Sequence, residues 1–313
     1  MYNLCCISEE LKEQGYRFQT MTWKRFNQLV DSEGQQFALN QLGERWLNNV
    51  SVTLEIIKMC AREGWGYRVS SSLFPIRTHP EFKYGIKDVP QCDEIMDELD
   101  AIAEHNKEWD VRLSTHPDQF NVLASENQNA VEKTINELNF HGWIMDKLGC
   151  PRDYRSPINI HVNCTKGDPA DIATRFMSNL NKCDHSVTSR LVVENEDRGC
   201  WNVDSLIYYF YKDYLIPITF DNLHFKCLPS QFDEAQAMAL CAATWGMTKP
   251  LFHYSESMPD QKNPRKHADM PTDYPASDSY DWDIELKSKD AAIRSCASMA
   301  DKVYNFIENG VDK

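Results

Sequence analysis

The chemistry in this sequence sits in its histidines and in a few carboxylates that follow short apolar runs. His116 follows VRLST, His161 follows INI, Glu194 follows LVV, Asp221 follows PITF, His253 follows LF and Glu285 follows WDI. His79, His224 and His267 fall in adjoining loops, with His224 three residues after Asp221. Of the nine histidines only His105, His141 and His185 lie in helical stretches or away from these positions. A polar or ionisable group at the end of a buried strand is costly unless something pairs with it. Six imidazoles and three carboxylates on one rim would repel one another, or waste hydrogen bonds, without cations between them. That donor mixture suits Zn²⁺ or Mn²⁺ and is nitrogen-rich for Ca²⁺ or Mg²⁺. Nine ligands suffice for two or three ions. Such clusters clamp the attacking and leaving oxygens of phosphoryl transfer.

The elements that must hold these residues follow from periodicity. Strands are expected at Tyr2–Cys6, Tyr67–Ser70, Val111–Thr115, Ile158–Ile160, Leu191–Val193, Pro217–Phe220, Leu251–Phe252 and Trp282–Ile284. Helices are expected from Met21, and over Gln35–Arg62, Asp93–Lys107, Gln128–Leu148, Pro169–Asn181, Val203–Tyr211, Gln231–Ala243 and Ser288–Glu308. The stretch Arg190–Asn202, RLVVENEDRGCWN, shows the recurring unit most plainly: apolar strand, carboxylate, polar loop, helix start. Eight such alternations in about 300 residues predict a parallel sheet closed as a (β/α)8 TIM barrel, an α/β fold in a single domain over 1–313. Active sites of such barrels lie at the C-terminal ends of the strands, where the nine residues fall.

The chain has 313 residues, 42% hydrophobic and 26% charged, with no apolar run long enough to span a membrane. Eleven scattered cysteines with no CxxC predict reduced thiols, and with the absence of a signal-peptide layout, a cytoplasmic monomer of a bacterial or phage-infected cell. A net charge of −14 argues against a nucleic-acid partner. Three divalent ions would bring it to −8, and a local basic patch outweighs the total. Lys166, Lys226, Lys249, Lys262, Arg265, Lys266, Lys287 and Lys289 are expected to supply that patch.

Eight segments in order carry a family resemblance: RVSSSLFPIRTHP (Arg68–Pro80), STHPDQF (Ser114–Phe120), INIHVN (Ile158–Asn163), VVENEDRGCWN (Val192–Asn202), FDNLH (Phe220–His224), His253, KHAD (Lys266–Asp269) and DIELK (Asp283–Lys287). Together they resemble the UV damage endonucleases, TIM-barrel enzymes of DNA repair. The resemblance implies cleavage of damaged double-stranded DNA immediately 5′ to a UV photoproduct or abasic site, leaving a 3′-hydroxyl and a 5′-phosphate. It implies two to three divalent ions, Mn²⁺ or else Zn²⁺ or Mg²⁺. The implied ligands are His79, His116, His161, Glu194, Asp221, His224, His253, His267 and Glu285, with Glu194, Glu285 and Lys287 in the catalytic group. Gln119 and Phe120 resemble a pair that wedges into the duplex where damaged nucleotides flip out, and Ser70, Ser71 and Lys249 are placed with them at the DNA. Several relatives carry a modified Lys two residues before the seventh-strand His; here that position is Leu251, with Lys249 the nearby substitute. The first-loop positions where the family tends to have an aromatic residue and an Asn look like Cys6 and Glu10. The alternatives are an abasic-site enzyme of the endonuclease IV type, a metal-dependent sugar isomerase or epimerase, and a non-catalytic barrel.

Overall fold

In the computed structural model, which describes residues 1–276 and 278–310, the eight apolar runs form eight parallel strands. They are β1 (Tyr2–Cys5), β2 (Gly66–Val69), β3 (Leu113–Thr115), β4 (Ile158–Ile160), β5 (Leu191–Glu194), β6 (Ile218–Thr219), β7 (Leu251–Tyr254) and β8 (Asp281–Ile284). Hydrogen bonds join them in the order β6-β5-β4-β3-β2-β1-β8-β7. A single parallel bridge between Asp221 and His253, with His253 N–H donating to the Phe220 carbonyl at 2.9 Å, joins the two ends and closes the barrel. The TIM barrel expected from the alternation is the fold observed. The last three residues of the expected domain lie outside the described ones.

Two strand boundaries move for identifiable reasons. β5 runs one residue further than the apolar run, so that Glu194 stands in register with Thr219 inside the sheet. β6 shrinks to two residues, because Pro217 has no N–H to donate and Phe220 already belongs to the closing contact. Between them these shifts put Glu194, Asp221 and His253 side by side where the barrel closes.

Side-chain alternation sorts the strands into two faces. Tyr2, Leu4, Tyr67, Val69, Leu113, Ile158, Ile160, Val193, Ile218, Phe252, Trp282 and Ile284 join the apolar layer between sheet and helices. Most of the alternate positions are polar, with Cys5, Val192 and Leu251 among the exceptions. Asn3 donates to Asp283 at 2.9 Å, Arg68 pairs with Glu285, and Asn159 donates to Glu194. The interior of this barrel is therefore a hydrogen-bonded and charged column that leads up to the strand ends.

The helices bury the outer face of that sheet. The longest, Gln35–Glu63, packs Leu39, Leu42, Trp46, Val50 and Ile57 inward and ends at Gly64, whose φ of 68° is the left-handed conformation a helix terminus needs. The helix expected over Val203–Tyr211 is interrupted: a turn of α-helix at Val203–Leu206 passes into a π-helical segment at Ile207–Tyr211, then α-helix again at Lys212–Tyr214. None of the eleven cysteines is paired. No helix among the described residues is long and apolar enough to cross a membrane.

One buried arginine anchors the strand on which the site is built. Arg190, fully buried at the foot of β5, donates to the carbonyls of Cys150, Pro151 and Ser186 at 2.7–2.8 Å and pairs with Asp146 at 2.8 Å. Removing it orphans three carbonyls and leaves Asp146 with Arg152 as its remaining partner. Arg190→Ala should lower stability by about 3–5 kcal/mol, read as a reduced urea midpoint with no change in metal content.

Candidate metal centre

Glu194 is the hub. Its carboxylate, 1% exposed, is ringed by four imidazoles. His116 Nε2 lies 3.1 Å from Oε2, His253 Nδ1 3.2 Å and His161 Nε2 3.8 Å from the same oxygen, and His224 Nδ1 3.1 Å from Oε1. Asn159 donates to Oε2 from below. Three groups of donors could each hold an ion: His116–Glu194–His253, His161–Glu194–His224 and Asp221–His253–Glu285. The last two share no residue, so two ions can be held at once.

The histidines are oriented for that task. His116, His224 and His267 each direct Nδ1 to a backbone carbonyl, of Pro117, Asn195 and Glu285, at 2.9 Å. His253 faces Asp283 through Nε2 at 3.5 Å, which turns Nδ1 into the cluster. Such outer contacts fix ring orientation and the tautomer of ligating histidines.

The charges agree with a cation site. Burial works to raise the Glu194 carboxyl, but His253, His161, His116 and His224 outweigh it and hold it well below the usual range. Burial works to lower His253, yet Glu194 and Glu285 push it up to about 9. His224 rises too, as Asp221 and Glu194 overcome its burial. His161, more weakly compensated, is lowered by burial to about 4. Protons on the imidazoles thus balance the carboxylates where divalent ions would do so better. Asp221 Oδ2 is buried without a hydrogen-bond partner, and His253 Nδ1 is held between the carboxylates of Glu194 and Glu285, at 3.2 and 3.4 Å. An unpartnered carboxylate oxygen and an imidazole nitrogen among carboxylates in one triad fit a divalent metal.

Seven of the nine expected ligands converge in these groups. His267 stands at their edge, Nδ1 3.9 Å from Glu285 Oε2. His79 is in none of them: its ring stacks on Trp23 with centroids 4.9 Å apart, and its Nδ1 accepts from Glu81 N–H. Lys287 turns outward to Asp269 at 3.6 Å rather than into the cluster. Ser70 is buried, its Oγ accepting from Ser72 N–H, while Ser71 is exposed.

Lys249 needs correction. It precedes β7, so it lies at the N-terminal end of the barrel and pairs with Asp281 Oδ1 at 2.9 Å. It is neither on the DNA-facing rim nor a substitute for a lysine at Leu251, which is buried in β7. Lys249 also lines a cavity of about 680 Å³, which opens at that opposite end with Arg112 and Asp281. On the rim, Lys166, Lys226 and Lys262 are exposed, whereas Arg265 is paired with Asp197 at 2.8 Å.

Beside the cluster lies a small cleft of about 120 Å³ bounded by Gln119, His161, Asn163, Glu196, Arg198 and His224. Asn163, with a left-handed φ of 54°, donates to the carbonyl of Gln119 at 3.0 Å, and its N–H donates to Glu196 at 2.7 Å. Burial pushes Glu196 up to about 7. Asn163 therefore ties the Gln119–Phe120 turn to the strand-end loops. Phe120 itself is 78% exposed.

Residues 2–310 match the family described as UV-endonuclease UvdE. The chain belongs to that UV-endonuclease family. A UV DNA damage endonuclease of Nostoc sp. is 30% identical over 93% of this chain and 87% of its own length. A UV-damage endonuclease of Neurospora crassa is 30% identical over 81% of this chain, which spans only 41% of that longer protein. The crystal structure of SacUVDE shares the fold, with a TM-score of 0.79 over 97% of this chain and 98% of the other at 23% identity.

Sequence reasoning missed Arg68, Asn159, Asn163 and Asp283 as parts of this family member's site. For Arg68, Asn159 and Asp283 the signal is a polar residue inside a strand, one or two positions below its end, whereas Asn163 lies in the loop after β4. For the metal centre the expected outcome is specific. Wild type should carry at least two equivalents of divalent metal by elemental analysis. Glu194→Ala should hold at most half of that, with far-UV circular dichroism unchanged, because the helices and outer sheet face do not depend on it.

Proposed function

We propose that this UV-endonuclease family member hydrolyses the phosphodiester immediately 5′ to UV photoproducts, and at abasic sites, with two or three divalent ions, leaving a 3′-hydroxyl and a 5′-phosphate. Family membership makes the chain a DNA repair endonuclease for UV damage. What carries the finer reading is the juxtaposition of an exposed aromatic turn with the strand-end cluster. Gln119 and the cluster residues His161 and His224 line one cleft, and Phe120 projects beside it.

Divalent ions in the two independent triads, Mn²⁺ or else Zn²⁺ or Mg²⁺, would supply Lewis acidity at the scissile phosphate and lower the pKa of an attacking water. The chain supplies the rest. Glu194, kept ionised by its imidazoles, fixes the spacing of the two donor sets. Phe120 offers apolar area to fill the gap that opens when damaged bases leave the stack, and the Gln119 amide can bond the edges of the orphaned bases opposite. Asn163 anchors the backbone of that turn, so the wedge and the donors keep a fixed separation. The exposed Lys166, Lys226 and Lys262 meet the phosphate backbone.

The test is nicking of UV-irradiated supercoiled plasmid, with undamaged and abasic plasmids beside it. Base–aromatic stacking is worth roughly 1–3 kcal/mol, so Phe120→Ala should slow nicking at pyrimidine dimers by about 5- to 150-fold at subsaturating enzyme. Abasic sites, already partly unstacked, should suffer less, and metal content should not change. Equal nicking of irradiated and undamaged plasmid by wild type would overturn the assignment. An unchanged ratio between the two lesions would remove Phe120 from it.

A further inference from the structure

One fixed cation stands inside the metal centre. Arg68, on β2 in register with Cys5 and Ser114, extends its guanidinium across the barrel interior. It pairs with Glu285 Oε1 and lies 3.6 Å from Asp283 Oδ2. The side chains are enclosed, with exposures of 11% for Arg68, 13% for Glu285 and 1% for Asp283. Glu285 belongs to the Asp221–His253–Glu285 triad, and Asp283 faces the His253 of the same triad. The His161–Glu194–His224 triad includes neither Glu285 nor Asp283, and among the described residues no arginine or lysine pairs with Glu194.

We propose that Arg68 is a built-in counter-charge that makes the two metal sites unequal: it offsets one of the two negative charges of Glu285 and Asp283 before any ion binds, and so weakens divalent-ion binding at Asp221–His253–Glu285, the exchangeable site. The inference rests on the metal reading above and deepens it. Enclosed carboxylates without a partner are strongly destabilising, and an enzyme that folds before it is loaded needs something in that place. Arginine suits the role because it stays protonated in any protein environment and its planar fork spans two carboxylates. The same charge repels a divalent ion arriving at Glu285. Like charges a few ångströms apart at a partly buried site are worth a tenfold or greater difference in affinity, by order of magnitude. Glu194 faces imidazoles, which can give up a proton to an arriving ion where an arginine cannot. The consequence is one resident ion between His161, Glu194 and His224, and one that comes and goes beside Arg68.

The experiment is calorimetric titration of Mn²⁺ into chelator-stripped full-length protein, paired with thermal unfolding before and after saturation. Wild type should show two classes of site separated by about tenfold or more. Arg68→Met, similar in length and uncharged, should tighten the weaker class by about tenfold or more and lower the metal-free Tm, with the Tm deficit shrinking once Mn²⁺ is bound. Arg68→Lys keeps the charge and should keep the two classes apart; it also covers the case in which the methionine variant fails to fold. Superimposable isotherms for wild type and Arg68→Met would overturn the proposal. So would a Tm deficit of equal size with and without Mn²⁺, or a lysine variant that behaves as the methionine one does. Failure of wild type to take up any Mn²⁺ would overturn the metal reading together with it, whereas uptake indifferent to Arg68 sinks this inference alone.

Discussion

A carboxylate buried among four imidazoles is the constraint on which the rest of this structure depends. Glu194 is almost fully enclosed, and among the described residues no lysine or arginine pairs with it. An isolated ionised carboxylate in such a place costs several kcal/mol even after relaxation. The fold tolerates it by bringing imidazoles from four other strand ends, β3, β4, β6 and β7, to within 3.1–3.8 Å. That convergence needs a closed barrel, because only closure sets the β4, β5, β6 and β7 ends around a common axis. The Asp221–His253 bridge, made by two of the donors themselves, is the closing contact. Site and fold share the same seam.

Below that ring, polarity continues downward. Asn159 supports Glu194, Asp283 orients His253, and Asn3 in turn holds Asp283. Glu194 and His253 are thus each backed by a polar side chain from a neighbouring strand, while His116, His224 and His267 lean on backbone carbonyls. Apolar packing is displaced to the outer face, where Trp46, Phe176, Phe210 and Phe252 fill the space between sheet and helices. The stability of the barrel and the chemistry of its mouth are carried by opposite faces of the same strands. The acidic net charge of −14 has a local explanation in part: the carboxylates that cluster here await cations. It leaves the approach of DNA to the few lysines exposed on the rim.

The residues at strand ends were legible in the sequence because chain direction and strand termination decide them. In a parallel barrel every strand points its C-terminal end the same way, so His116, His161, Glu194, Asp221, His253 and Glu285 had to meet. The inward column was less legible. Strands of two to four residues are too short for an alternation to declare itself, so Arg68 and Asp283 read as ordinary strand polarity. His79 stands apart from the convergent donors. It stands in a motif with the expected neighbours, but its loop follows no strand end directly, and Trp23 from a distant helix captures its ring. Lys249 was misplaced for a simpler reason: it comes before its strand rather than after it. The π-helical segment in IYYFY, at 207–211, left no pattern by which helical periodicity could distinguish it.

The central claim is that Glu194 separates two metal positions, one toward His161 and His224 and one toward His253, Asp221 and Glu285. Anomalous scattering from crystals soaked in Mn²⁺ tests it most directly. Two peaks should appear on either side of the Glu194 carboxylate, within coordination distance of those side chains. Manganese found only at surface carboxylates, with the Glu194 ring unchanged and empty in a crystal that binds Mn²⁺ elsewhere, would contradict the account.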